Sequence, residues 1–265
     1  MLQDMIFPKK NDSRVIIIWF FVIYVTYGLT SPWFGRTIYQ FLAVFLTSIS
    51  IDLILGKIRT NKWIFPLSGI IASSGMFLVL DAYGVWPYFL VGVLGMLSKH
   101  LLRVNDRHIF NPNNFGVMMI VTAFPGHAML TAARWGGNIL WVVVFTILGL
   151  IITIHAKRWI LALSFLSFFS LFVLIKSVVF SASLPFLSIP LFSPALHLYT
   201  YFMITDPRTS PERPRDQIIF AFCVALADTS LRYMQNKNAP IIALFFVCLI
   251  YNTSKFWRME KPSYA

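Results

Sequence analysis

The first segment with residue types suited to binding chemistry is 99–116, which is basic at its start and rich in amides at its end. Its candidate ligand residues are two arginines and three asparagines: Arg103, Arg107, Asn111, Asn113 and Asn114. Asn111 is suited to cap a helix that begins at Pro112, where a missing N–H costs nothing. Free N–H groups at that helix start, with the amides and guanidinium groups, would bind a phosphate or a polar ring edge. The alternative is an ordinary capped helix beside a basic loop.

The second such segment is 201–216, where an apolar stretch ends in Thr205-Asp206-Pro207-Arg208. Pro207 ends the helix, because proline neither donates to a helical carbonyl nor allows the residue before it to stay helical. Thr205, Asp206 and Arg208 are candidates to close the far side of the same site. The alternative is an Asp-Pro turn in a salt-bridged loop, with Asp206 paired to nearby arginines.

Composition shows which elements must position these segments. The chain has 265 residues, of which 58% are hydrophobic and only 12% are charged. A soluble domain of this length carries roughly twice that charged fraction. The apolar residues return in block after block, which predicts an all-α integral membrane protein whose first apolar run is a retained helix.

The apolar runs predict about ten transmembrane helices. They are 15–30, 37–56, 63–81, 85–102, 115–125, 137–156, 159–180, 184–205, 218–234 and 240–253. With the N-terminus inside, 17 of the 22 Lys and Arg fall on the inner side and 5 on the outer side. This bias predicts that the tails, 1–14 and 254–265, are cytoplasmic, and that both polar segments lie on the cytoplasmic face.

Ten helices with both ends inside also permit two halves of five, 15–125 and 137–253. An odd number of helices per half gives the halves opposite topology, as in inverted-repeat transporters. The third and eighth runs are interrupted by Pro, Gly and Ser, which predicts broken helices around a binding site. The alternative explanation of the interruptions is ordinary helix packing. In either case we expect 1–265 to form a single polytopic membrane domain.

Three ionisable residues inside the runs are functional candidates by default. Asp52 is expected to reach the headgroups near the inner end of the second run. Asp228 is expected to pair with Arg232, four residues further along the same helix face. His197 serves either as a proton relay or as a buried imidazole bonded to a backbone carbonyl.

Together, the two polar segments resemble the RnfD/NqrB family of membrane subunits in ion-pumping, flavin-containing electron-transport complexes. The resemblance extends from about Pro66 to Asn252. It rests on the ordered stretches 84–87, 95–101, 107–116 and 202–211. The resemblance implies a ten-helix inverted repeat similar to urea and ammonium transporters, in the bacterial inner membrane.

The resemblance also implies an isoalloxazine-binding protein that passes electrons across the bilayer, as a subunit of an oxidoreductase or translocase. The pumping members carry a Ser-Gly-Ala-Thr motif whose Thr is covalently flavinylated, and no such sequence occurs here. The sequence Asn-Pro-Asn-Asn-Phe-Gly at 111–116 and Arg-Trp-Gly at 134–136 resemble a stand-alone, UnbU-like branch of the family more than the pumping members. We therefore expect FMN or riboflavin to bind non-covalently, or a quinone in its place.

Other functions stay open at this point. The same fold would serve an ion or small-solute channel or transporter, or a non-catalytic scaffold for a partner in the membrane. The expected partners are the lipid bilayer and redox subunits. Nucleic acid is not expected despite a net charge of +12, because basic loops orient membrane proteins. No metal-ligand spacing is present. Cys223 and Cys248 lie in apolar runs, so we expect them to be buried small residues rather than a disulfide or a metal pair.

Overall fold

The computed structural model describes residues 5–8, 13–32, 34–104, 107–130, 139–180 and 189–259. A helix overlaps every predicted run. The helices are α1 (Ser13–Thr30), α2 (Ile38–Thr60), α3 (Leu67–Val79), α4 (Trp86–Leu101), α5 (Pro112–Ala123), α6 (Ile139–His155), α7 (Trp159–Phe180), α8 (Pro194–Leu198), α9 (Pro214–Tyr233) and α10 (Ala239–Met259). A short 3-10 helix, Ile189–Phe192, precedes α8, and a π-helical turn, Tyr199–Ile204, continues it.

Six strands of two or three residues accompany the helices. They are β1 (Met5–Ile6), β2 (Trp63–Ile64), β3 (Leu80–Ala82), β4 (Arg103–Val104), β5 (Arg107–His108) and β6 (Ala128–Leu130). β1 pairs with β2 in parallel, while β3 pairs with β6 and β4 with β5 antiparallel. The strands connect or terminate helices, so the fold is helical in character.

The chain divides into two compact units. Unit 1 comprises 1–101 and 112–136, and unit 2 comprises 102–111 and 137–265. The β4–β5 hairpin therefore packs with the second half of the chain although it comes from the first. The division departs from the predicted halves at this hairpin.

Unit 1 is built around α2 and α4, with α3 and α5 packed against them. Glycine allows α4 and α5 to approach closely. A Cβ at Gly116 would lie 2.7 Å from the carbonyl oxygen of Val91, and one at Gly95 would lie 2.8 Å from that of Pro112. Because neither backbone can yield, small residues at these positions set the helix–helix distance.

The predicted interruption of the third run is present. Residues 63–66 are not helical, because Pro66 blocks an earlier start and α3 begins only at Leu67. α3 and α5 have 13 and 12 residues, so each rises less than about 20 Å, short of the roughly 30 Å hydrocarbon core. Each is extended by a strand, and β3 and β6 satisfy one another's backbone groups by pairing.

Unit 2 packs α9 against α7 and α10, and α6 against α8 with its π-helical turn. Gly149 on α6 makes room for the turn. A Cβ at that position would lie 2.2 Å from Cγ of Tyr201. The eighth run is interrupted as predicted: it changes from the 3-10 helix Ile189–Phe192 to the α-helix α8 and then to the π-helical turn Tyr199–Ile204.

Several helices are apolar on every side. On α6 the buried residues Val142, Phe145 and Gly149 form one stripe, while Leu140, Val143, Ile147, Ile151 and Ile154 are exposed on another. An exposed apolar stripe beside a buried one fits a lipid environment. Among the described residues, two helices, Ile38–Thr60 and Trp159–Val179, are long and apolar enough to cross a membrane, and four shorter helices are also apolar.

Candidate functional site

Asp206 is the centre of the polar cluster in unit 2. Its carboxylate accepts a hydrogen bond from Asn111 Nδ2 at 3.1 Å and from the backbone N–H of Arg208 at 3.0 Å. Nε2 of His108 lies 3.5 Å from the same carboxylate. The residue therefore joins the β4–β5 hairpin to the turn that follows α8. The sequence analysis considered nearby arginine side chains as partners of the Asp206 carboxylate. That prediction was wrong, because its side-chain partners are Asn111 and His108.

The environment of Asp206 favours its charged form. Burial by itself would raise the pKa of the carboxyl group, but the hydrogen bond and charge of His108 lower it. The Arg208 N–H and the Asn111 amide lower it further, so the pKa of Asp206 lies below its usual range. The carboxylate is an acceptor held in place by three donors.

The Asp-Pro turn is present as the sequence indicated. The backbone N–H groups of Thr209 and Ser210 both donate to the carbonyl oxygen of Asp206, at 3.1 and 3.0 Å. Thr205 lies one residue before the turn, and its hydroxyl donates to the carbonyl oxygen of Tyr201 at 2.6 Å. The Thr205 hydroxyl thus closes the end of the π-helical turn.

Two buried residues that sequence reasoning did not select hold this turn against α7. Arg158 donates from Nε to the hydroxyl of Ser210 at 3.0 Å and from Nη2 to the carbonyl oxygen of Pro207. Gln217 accepts from the backbone N–H of Leu161 at 3.1 Å and donates to the carbonyl oxygens of Lys157 and Glu212 at 3.0 Å. The sequence signal that could have identified them is their position: Arg158 directly precedes the apolar helix α7, and Gln217 lies in the first turn of α9.

Asn252 is a third residue missed by the sequence argument. Its Nδ2 lies within hydrogen-bond distance of three carbonyl oxygens, those of Ile109 at 2.9 Å and of Thr209 and Cys248 at 3.1 Å. It therefore ties the hairpin and the Asp-Pro turn to α10. A lone amide late in an apolar helix could have identified it.

The three candidate arginines differ in their surroundings. Arg107 forms an ion pair with Glu212, and both side chains are partly exposed. Arg103 is half-buried on β4, where it pairs in register with His108. The Arg208 side chain is exposed. These guanidinium groups give the hairpin and the turn positive charge.

Asn113 and Asn114 lie in unit 1, in the first turn of α5. Helix α5 begins at Pro112 as predicted, and both amides are buried. A Cβ at Gly75 of α3 would lie 2.1 Å from Nδ2 of Asn113, so glycine there leaves space for the amide. Of the eight candidate residues, the structure places six in unit 2 and these two in unit 1.

The other ionisable candidates behave as follows. Asp228 is fully buried and pairs with Arg232 at 2.8 Å, as predicted. Nε2 of His197 lies 2.9 Å from the carbonyl oxygen of Leu191, in agreement with the carbonyl-bonded alternative. The side chain of Asp52 is buried among Ser68, Lys99 and His100.

The family model of the NQR2, RnfD, RnfE family matches residues 127–255. This part of the chain is therefore similar to the NQR2, RnfD, RnfE family. The match contains the Thr205-Asp206-Pro207 turn and Asn252, whereas the resemblance drawn from residues 66–126 lies outside it. No curated protein matches the chain.

The match to this family model and the apolar helices together indicate a multi-pass membrane protein. Within the described part of the chain, no group of three or more His, Cys, Asp or Glu side chains is arranged to hold a metal ion. Residues 134–136, which contributed to the predicted stand-alone branch, lie outside the described residues.

Proposed function

We propose that the protein is a membrane redox subunit that binds a flavin or a quinone non-covalently and supports electron transfer across the bilayer. The observation that carries the proposal is the family match through the Asp-Pro turn, whose carboxylate ties the β4–β5 hairpin to α8. A site held by buried hydrogen bonds is rigid, and rigidity favours cofactor binding.

The residues present fit an anionic or carbonyl-bearing ring. Arg103, Arg107 and Arg208 would hold a phosphate or the polar edge of the ring, because guanidinium groups are strong donors to both. Asn111, Thr205 and Asp206 hold the backbone that carries those arginines. The bound ring supplies the electron chemistry, while this chain binds and orients it. Asn113 and Asn114 lie in unit 1, so the proposed site rests on the six residues in unit 2.

Cofactor binding by the purified protein tests the proposal. One sample of the detergent-solubilised chain is denatured, and any released flavin and quinone are separated and measured by absorbance. A second, folded sample is titrated with FMN, riboflavin and a short-chain quinone. We expect one of these to bind. If it is FMN, Arg208→Gln should weaken binding roughly tenfold, the loss of one charge-assisted hydrogen bond, and leave riboflavin less affected.

Arg59→Gln is the matched control, because Arg59 is exposed on α2 of unit 1 and the substitution removes the same charge. Equal weakening by both variants would mean that general electrostatics, rather than the Asp-Pro turn, attracts the ligand. Absence of flavin and quinone from the purified protein, with no binding in any titration, would overturn the proposal.

We propose in addition that ten helices span the bacterial inner membrane with both termini in the cytoplasm, as a 5+5 inverted repeat. Equivalent helices pack in the same order in each unit: α2 with α4, α4 with α5 and α1 with α3 in unit 1, and α7 with α9, α9 with α10 and α6 with α8 in unit 2. That correspondence, offset by five helices, supports the repeat.

Labelling with a membrane-impermeant maleimide tests this orientation. In a chain whose own Cys223 and Cys248 are replaced by serine and alanine, Gly126→Cys should react in cells with an intact inner membrane. Lys62→Cys should react only after permeabilisation. Gly126 tolerates a side chain, because no atom lies within 4 Å of the Cβ position. The reverse labelling pattern would invert the topology.

One observation favours a second candidate, a channel or transporter for an ion or small solute. The short helices α3 and α5 end in paired strands, and discontinuous helices of this kind line substrate sites in transporters. Solute flux in proteoliposomes by a protein that binds neither flavin nor quinone would favour it. Absence of both binding and flux would leave the scaffold hypothesis.

A further inference from the structure

A second polar cluster lies in unit 1, where α2, α3 and α4 meet. Asp52 accepts hydrogen bonds at Oδ2 from the Ser68 hydroxyl and from the backbone N–H of Gly69, both at 2.9 Å. Lys99 contacts Oδ1 of the same carboxylate and also donates to the Ser68 hydroxyl at 2.5 Å. Asp52 and Lys99 therefore form a buried ion pair that also caps the start of α3.

His100 adds a titratable group to this ion pair. Its Nε2 lies 2.9 Å from Oδ1 of Asp52, and the side chains of both residues are only 7% exposed. A carboxylate that already accepts from a backbone N–H and an ammonium group acts as an acceptor towards the imidazole as well. The imidazole therefore carries a proton on Nε2, and in its neutral form presents a lone pair at Nδ1.

That lone pair is the notable feature of the cluster. Nδ1 of His100 is buried and has no hydrogen-bond partner within the described residues. One helical turn from Asp52 on the same face of α2, the hydroxyl of Ser48 is also buried without a partner in the described part of the chain. A buried imidazole nitrogen without a partner, on a ring that contacts a carboxylate, is available to take up a proton.

We propose that Asp52 and His100 form a proton-binding dyad in unit 1, with Lys99 as the counter-charge of the carboxylate. A hydronium ion delivers one proton to Nδ1: the N–H bond forms as an O–H bond of the hydronium breaks, which leaves water and an imidazolium. The reverse step returns the proton to water. No other bond changes. Asp52 orients the ring and stabilises its positive charge, as a carboxylate does for a histidine that acts as a base.

The surrounding helices leave the dyad few other charges. α3 and α5, which pack against α4, contain no charged residue, and Lys99 is the other charged residue of α4. On α2 the further charges are Lys57 and Arg59, and Lys57 donates to the carbonyl oxygen of Asn61. The ammonium group of Lys99 and Nε2 of His100 both contact Oδ1 of Asp52, so this oxygen is occupied and is not open to a metal cation, whereas Nδ1 of His100 is open to a proton.

The proposal is independent of cofactor binding, and the protein alone is sufficient for its test. The chain is labelled with 15N-histidine, reconstituted in nanodiscs, and its imidazole nitrogen signals are followed as the pH changes. His100→Gln identifies the His100 signals by their loss. We expect these signals to undergo a reversible protonation transition, with Nε2 carrying the proton in the neutral form.

Two variants of opposite charge effect make the test specific. Asp52→Asn removes the negative charge and should move the His100 transition to lower pH, while Lys99→Gln removes a positive charge and should move it to higher pH. A general loss of packing would not produce opposite shifts. If Asp52→Asn fails to fold, Lys99→Gln still provides the measurement.

His155→Gln is the control, since His155 is exposed on α6 and its Nδ1 lies 2.8 Å from the carbonyl oxygen of Ile151 in its own helix. This variant should remove a different signal and leave the His100 transition unchanged. A His100 signal that stays in one protonation state over the whole pH range of the folded protein would overturn the dyad. A transition that ignores both the Asp52 and the Lys99 variant would overturn it as well.

Discussion

The side-chain amide of Asn111 donates a hydrogen bond to the carboxylate of Asp206 across 3.1 Å, although the residues are 95 positions apart. The contact connects the end of the β4–β5 hairpin to the turn after α8. It brings together one candidate from each of the two polar segments that the sequence singled out. The Thr205-Asp206-Pro207 turn in the NQR2, RnfD, RnfE family match is thus fixed by a long-range bond.

Loss of this bond should destabilise unit 2. We expect Asn111→Ala and Asp206→Ala each to lower the free energy of unfolding by about 1–3 kcal/mol, because each leaves a buried partner unsatisfied. The double variant should cost less than the sum, with a coupling of about 0.5–3 kcal/mol. Denaturation in detergent, followed by circular dichroism, measures all three. Strictly additive losses would show that the two side chains do not interact in solution.

The lowered pKa of Asp206 predicts a pH dependence of stability. In the unfolded chain the carboxyl group has its ordinary pKa of 3.8, and in the folded protein the pKa is lower. Between these two values the unfolded state binds more protons, so stability rises with pH. The contribution of Asp206 is complete above the ordinary value and is lost as the pH falls towards the folded pKa.

Thermal unfolding of the wild type and Asp206→Asn from neutral pH to below pH 4 checks this dependence. We expect the advantage of the wild type to shrink on acidification below about pH 4. A difference that stays constant through this range would show that the pKa of Asp206 is not lowered by folding.

The contact between Gly149 and Tyr201 predicts a steric effect. Gly149→Ala places a Cβ about 2.2 Å from Cγ of Tyr201, so α6 or the π-helical turn must move. We expect a loss of about 1–3 kcal/mol, typical of overpacking. Gly56→Ala on α2 is the control, because no atom lies within 4 Å of its Cβ position. That substitution should be neutral or stabilising by up to about 1 kcal/mol.

The amide of Asn252 predicts a polar rather than a steric effect. Asn252→Leu keeps the approximate volume but removes the donor from the carbonyl oxygens of Ile109 and Thr209, and we expect a loss of about 1–3 kcal/mol. Thr253→Val on the same helix removes a hydroxyl that bonds only within α10, and should change stability by less than about 0.5 kcal/mol. Similar losses from both variants would exclude a special role for the Asn252 amide.

The helices were the most predictable part of the fold. The seventh run, 159–180, coincides with α7, because an uninterrupted apolar stretch flanked by Arg158 leaves the backbone little alternative to a helix in lipid. The third run was less accurate by four residues at its start, since hydropathy does not register that Pro66 excludes an earlier helical turn. The interruption itself was visible in the Pro, Gly and Ser content.

The candidate site was predictable only in part. The amino-acid types and the Asp-Pro turn follow from local chemistry, and so the two polar segments could be selected from the sequence. The partners of Asp206 could not, because arginines a few residues away compete with His108 and Asn111 almost a hundred residues earlier. Arg158, Gln217 and Asn252 were missed for the same reason: each acts on a backbone carbonyl or amide that only folding brings near.

The sequence by itself determined a membrane protein of apolar helices with two polar segments, because burial in lipid depends on the local content of apolar side chains. Tertiary structure alone decided that Asn111 meets Asp206 while Asn113 and Asn114 pack in unit 1. It also decided that the side chain of Asp52 is buried beside Lys99 and His100. Hydrogen bonds and ion pairs require atoms within about 3 Å, and that proximity is set by helix packing and not by order along the chain.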